Sequence, residues 1–149
     1  MNKSEYKILN KIMDRKGVES AYLFGSRVHG KITHFSDYDF GIFFDVHIPK
    51  RSQEKIRKEI FLELSRLYQT DEIHFINING ISDPALRYNI IILGRCMYAK
   101  DFTKKLIMEI KTRKEYEDTK YLRQTGLYLQ NQRIRSGAFG TRYNAMNNK

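Results

Sequence analysis

From Gly25 to Asp39 the chain reads GSRVHGKITHFSDYD, a Gly-Ser pair followed after ten residues by Asp-x-Asp. The pair closes the apolar run AYLF of Ala21 to Phe24, so it falls where a strand turns into a short helix. Beginning near Ser26 or Arg27, that helix aims free backbone N–H groups, a small hydroxyl and a guanidinium at whatever lies before it, and phosphate fits there. Asp37 and Asp39 stand two apart at the head of a second strand, YDFGIFF. Side chains at i and i+2 project from one face of a strand. Two carboxylates on one face beside a phosphate cradle make a divalent-metal site, with Mg²⁺ the natural occupant. Either half alone says little, since Asp-x-Asp is common on solvated strand starts. Their order across strand, turn, helix and strand carries the signal.

Outward from that stretch, helices and strands alternate. Ser4 can cap a helix to about Arg15 with Ile8, Leu9, Ile12 and Met13 on one face, stopped by Gly17. A strand follows from Val18 to Phe24. Pro49 ends the extended segment after the Asp-x-Asp strand, and a helix from Ser52 to about Gln69 repeats Ile56, Ile60, Leu64 and Leu67 at helical spacing. A third strand runs from Glu72 to Ile78. Asp83-Pro84 opens a short helix with Gly94 as its stop, Cys96 to Ala99 is extended, and a final helix runs from Phe102 to about Leu122 with Phe102, Leu106 and Ile110 in register. Parity sorts the polar residues. Asp37, Asp39 and Gly41 share one face of the second strand, with Tyr38, Phe40, Ile42 and Phe44 opposite. On the third strand Ile73 and Phe75 mark the apolar face, leaving Glu72 and His74 on the polar one.

With 149 residues, 41% of them hydrophobic, the chain suits one domain with one core. No apolar run approaches the ~20 residues needed to span a bilayer, and MNKSEYKILNK lacks a signal-peptide core, so a cytoplasmic protein without membrane contact is expected. A lone Cys96 in apolar surroundings excludes a disulfide framework and a cysteine zinc cluster. The net charge of +10 concentrates at the end: from Thr119 onward come Lys120, Arg123, Arg133, Arg135, Arg142 and Lys149 and no acidic residue. Such a tail reads either as a surface for nucleic acid or an acidic protein, or as a solvated, partly disordered end. The division expected is 1–122 as the domain and 123–149 as the basic tail.

The Gly25-Ser26 and Asp37-x-Asp39 pattern resembles the signature of the DNA polymerase β-like nucleotidyltransferase superfamily, and within it the minimal nucleotidyltransferase (MNT) branch, from Val18 to Asp101. EIHFIN, Glu72 to Asn77, is similar to that branch's third-strand string, with Glu where Asp is usual and His74 at a usually apolar position. DPALRYNIIILGRCMYAKD also resembles the branch's helix, Gly-basic pair and apolar-Tyr strand. The resemblance implies an α+β, or mixed α/β, fold of the polymerase β palm type: a small mixed sheet with helices packed on one side. It implies a two-metal reaction needing a third carboxylate. Parity favours Glu72, with Asp71 at the strand start the alternative. His74 points the same way, toward a phosphate or the incoming substrate, or serves structurally. By the same resemblance Asp37, Asp39 and Glu72 are the catalytic residues and hold two Mg²⁺, and Gly25, Ser26 and Arg27 bind the nucleotide triphosphate. The implied role is that of an antitoxin moving AMP from ATP to a tyrosine hydroxyl of a HEPN-domain RNase toxin. Two other classes compete: a nucleotidyltransferase for a small molecule or an RNA end, which the basic tail would suit, and a non-catalytic antitoxin that acts by binding alone.

Overall fold

The computed structural model describes residues 3–30 and 37–137. Lys31 and His34 between the two halves of the motif, and Phe139, Arg142, Tyr143 and Lys149 of the basic tail, lie outside the described residues. The chain forms two compact units, Met1–Tyr116 and Glu117–Lys149.

In the first unit, four strands make one mixed sheet in the order β3-β2-β1-β4: β1 (Val18–Phe24), β2 (Tyr38–Phe44), β3 (Ile73–Asn77) and β4 (Arg95–Ala99). β1 runs antiparallel to β2 and β4, while β2 and β3 run parallel. A parallel pair needs a long crossover, and α3 (Lys50–Tyr68) supplies it. This helix starts directly after Pro49, two residues before Ser52, and ends on Gln69 in the left-handed region at φ 53°.

Alternation along the strands gives the sheet two buried faces. Ala21, Leu23, Phe40, Ile42, Phe44, Ile73 and Met97 pack with Leu9, Ile12 and Met13 of α1 (Lys3–Met13) and with Ile60 and Leu64 of α3. On the other face Tyr22, Phe24, Phe43 and Ile76 meet Ile78, Leu86, Ile90, Ile91 and Met108. These come from a 3₁₀ turn (Ile78–Gly80), α4 (Pro84–Ile91) and α5 (Phe102–Asp118). Helices therefore cover both faces, where the resemblance implied one. α4 begins as its sequence predicts, with the Asp83 carboxylate accepting a 2.9 Å bond from the Ala85 amide ahead of Pro84. Gly41 lets it come close, because a Cβ there would lie 2.5 Å from Cγ2 of Ile90. Cys96 is half-buried, its Sγ 3.4 Å from the Tyr98 carbonyl, and burial pushes its thiol up.

Two details depart from the sequence reading. Ile78 leaves β3 for the 3₁₀ turn, capped by the Asn77 side chain, and Asn79 then clamps the end of β2 by accepting from the Phe44 amide and donating to its carbonyl, each at 2.8 Å. The last helix stops at Asp118, short of the expected Leu122, and a separate α6 (Lys120–Arg135) follows. Phe102, Leu106 and Ile110 are exposed; α5 instead buries Thr112 and stacks Tyr116 on Tyr88 at 4.0 Å.

Candidate active site

At the end of β1 the chain must turn sharply into α2 (Ser26–His29), and Gly25 makes the turn at φ 76°, ψ −153°. Only glycine adopts this conformation without strain. The first helical bond is from Val28 to the Gly25 carbonyl, at 3.1 Å.

Asp39 pairs with Phe24 on β1 and with His74 on β3. Its Oδ2 is in contact with Gly25, so the turn and the carboxylate are built against each other. Its Oδ1 lies 3.6 Å from Nδ1 of His74, and Oδ2 of Asp37 lies 3.8 Å from the same nitrogen. Glu72 joins from just before β3, where its carbonyl accepts from the Tyr38 amide at 3.0 Å. Asp37, Glu72 and His74 each present a ligand atom within 4.8 Å of the others. Glu72 thus lies with Asp37, on the side that strand parity assigns to it. Asp71 is exposed and its carbonyl accepts from Ile73 at 2.8 Å, a local turn contact.

Arg27 packs against an aromatic ring. Its guanidinium lies 3.6 Å from the centroid of the Tyr38 ring, which also stacks on Tyr68 at 3.8 Å. Tyr38 belongs to the α1/α3 face, opposite Asp37 and Asp39. Burial raises its phenol pKa, and the Arg27 charge opposes the rise. Beside Gly25, a cavity of about 350 Å³ is lined by Phe24, Leu86, Asn89 and Leu93. Leu86 and Asn89 of α4 and Leu93 just beyond it were missed from sequence, although their i, i+3, i+7 spacing marks one side of the segment.

Residues 6–103 match the family described as Polymerase beta, Nucleotidyltransferase. The chain belongs to that family. Solved structures share the nucleotidyltransferase fold. A toxin–antitoxin structure with AMP-PNP matches with a TM-score of 0.61 at 17% identity, covering 85% of this chain and 96% of that one. The MntA-HepT toxin–antitoxin structure gives 0.58 at 15%, covering 85% and 96%. A tri-AMPylated Shewanella oneidensis HEPN toxin in complex with MNT antitoxin gives 0.54 at 15%, covering 83% and 90%. No curated protein matches significantly by sequence. Among the described residues no helix is long and apolar enough to cross a membrane.

The donor set of this nucleotidyltransferase domain suits a divalent ion. Asp37, Asp39 and Glu72 offer the hard oxygen ligands that Mg²⁺ takes, on partly or fully exposed side chains that an ion can reach from solvent. Crowded carboxylates without a cation repel one another, so the arrangement is stabilised by whatever positive charge enters it.

Proposed function

We propose that the protein is a toxin–antitoxin nucleotidyltransferase that moves AMP from ATP to a tyrosine hydroxyl of a HEPN-domain toxin. The observation that carries this reading is the position of Asp39, with one oxygen against the Gly25 turn and the other 3.6 Å from His74, the residue that groups with Asp37 and Glu72. The solved complexes of the same fold, one with AMP-PNP and one with an AMPylated HEPN toxin, support it.

In this reading the tyrosine oxygen attacks the α-phosphorus of ATP. The bond from that phosphorus to the bridging oxygen breaks, pyrophosphate leaves, and the hydroxyl proton passes to solvent. The main chain of Gly25, Ser26 and Arg27 would receive the triphosphate where β1 turns into α2. Phe24, Leu86 and Leu93 shelter the base, with the Asn89 carboxamide at its edge. Asp37, Asp39 and Glu72 would hold two Mg²⁺, which supply a lowered pKa at the attacking hydroxyl and charge neutralisation at the pyrophosphate. What the protein contributes is position: carboxylates set at the heads of β2 and β3, next to the turn that receives the phosphates.

The test is to incubate the protein with α-labelled ATP, Mg²⁺ and the HEPN-domain toxin of the same locus. Label should enter the toxin and be lost when its acceptor tyrosine is replaced by phenylalanine. Label entering RNA or a small molecule instead would favour the second class of acceptor, for which the run of basic residues after Thr119 is the supporting feature. Tight toxin binding with no label in any acceptor would leave inhibition by contact alone.

A further inference from the structure

We propose that His74 is a metal ligand, and that it makes this centre bind a first-row transition ion such as Mn²⁺ in preference to Mg²⁺. The proposal rests on the metal-site reading above and adds a nitrogen donor to it.

Three observations converge on this imidazole. Its Nδ1 is 3.6 Å from Oδ1 of Asp39 and 3.8 Å from Oδ2 of Asp37, both too long for hydrogen bonds. Ligand atoms bound at about 2.1 Å around one ion lie roughly 3 to 4 Å apart, so these gaps are the size of a shared cation. Glu72 completes the group, with ligand atoms of Asp37, Glu72 and His74 all within 4.8 Å. The placement is imposed by the backbone. His74 is the ladder partner of Asp39, and β3 is tied to β2 from the Glu72 carbonyl onward. A residue at this register with this parity cannot avoid the carboxylate face. The imidazole is also more than half exposed, 59% for its side chain, so the polar face it joins is open to solvent ions.

The chemistry follows from ligand type. Mg²⁺ favours all-oxygen coordination and keeps its waters, whereas imidazole nitrogen strengthens binding of transition ions. Mn²⁺ accepts nitrogen while keeping the octahedral, oxygen-rich geometry that a triphosphate needs.

Mn²⁺ binding to the nucleotide-free full-length protein, followed by the electron paramagnetic resonance of the free ion, reads this directly. Wild type should bind Mn²⁺ at least about 10-fold more tightly than Mg²⁺, measured by competition. His74→Ala should lose about 10-fold in Mn²⁺ affinity with Mg²⁺ affinity unchanged. Pulsed resonance of bound Mn²⁺ should show nitrogen modulation that disappears in His74→Ala, a signal a merely structural histidine would not give. Equal Mn²⁺ affinity in wild type and His74→Ala, or no nitrogen signal, overturns the proposal. Asp37→Asn separates the two readings: if it abolishes Mn²⁺ binding while His74→Ala does not, the carboxylate site stands and only the histidine is excluded. If neither substitution affects binding, the metal-site reading falls with it.

Discussion

Gly25 and Asp39 touch: a Cβ at position 25 would run into Oδ2 of Asp39, and the glycine sits at φ 76°. Gly25→Ala therefore brings two costs together, a left-handed backbone forced on alanine and a displaced carboxylate. The backbone alone should cost about 1–3 kcal/mol of stability. The carboxylate displacement should reduce toxin labelling far more than that loss explains. Thermal unfolding and labelling measured on the same preparation check this; a variant that melts normally and labels normally would show that the turn is not built for the site.

Asp37→Asn with Asp39→Asn should abolish labelling from ATP while the melting temperature stays level or rises. Removing two neighbouring negative charges relieves repulsion in the metal-free protein. Both side chains are only partly buried, so no core packing is lost. Full transfer activity in the double variant would sink the catalytic assignment.

Glu72→Gln should lower turnover by about 10²-fold or more, the scale of a lost electrostatic contact in the transition state, and Asp71→Asn far less. The structure sets Glu72 within reach of Asp37 and leaves Asp71 in a local turn. A reversed ranking would mean that β3 works one residue out of the register seen here.

How far the site could be read from sequence depends on what fixed each residue. β1 and β2 run Val18–Phe24 and Tyr38–Phe44, as alternation and the Gly-Ser and Asp-x-Asp boundaries predict. Parity put Glu72 and His74 on the Asp37 side because a strand leaves no other choice once its apolar face is known. Arg27 was not legible in the same way. Its destination depends on an aromatic ring eleven positions later that belongs to the other face, and a long flexible side chain obeys no strand parity. The break at Thr119 also carries no glycine or proline to announce it. In α5 a helical apolar period marked Phe102, Leu106 and Ile110, yet they are exposed, since periodicity shows that a face exists and not what covers it.

Arg27→Ala should accordingly reduce stability by about 0.5–1 kcal/mol, the range of an exposed cation–π contact, with little change in KM for ATP. Denaturant unfolding and ATP-dependent kinetics test the two halves separately. A large rise in KM with unchanged stability would show that the guanidinium leaves Tyr38 to meet the triphosphate.

The second unit separates the partner classes. No residue of α6 is buried, and Leu122, Leu127, Tyr128, Leu129 and Ile134 are each more than half exposed. Leu127 and Ile134, seven apart, share one helix face. A folded toxin would be gripped by such apolar and aromatic side chains, with charge mainly steering the encounter. RNA would be held by Lys120, Arg123, Arg133 and Arg135, giving an affinity that falls steeply with salt in proportion to the phosphates neutralised. Leu127→Asp with Ile134→Asp should then weaken toxin binding by about 10-fold or more, leaving ATP binding and the melting temperature unchanged because neither side chain supports a core. Arg133→Gln with Arg135→Gln should change toxin affinity only modestly and mostly at low salt. Titration calorimetry with the toxin, at two salt concentrations, distinguishes the pairs. If the arginine pair proves the costly one and the lost affinity is for RNA with a salt slope reduced by about 2, the helix serves nucleic acid and the toxin must dock elsewhere.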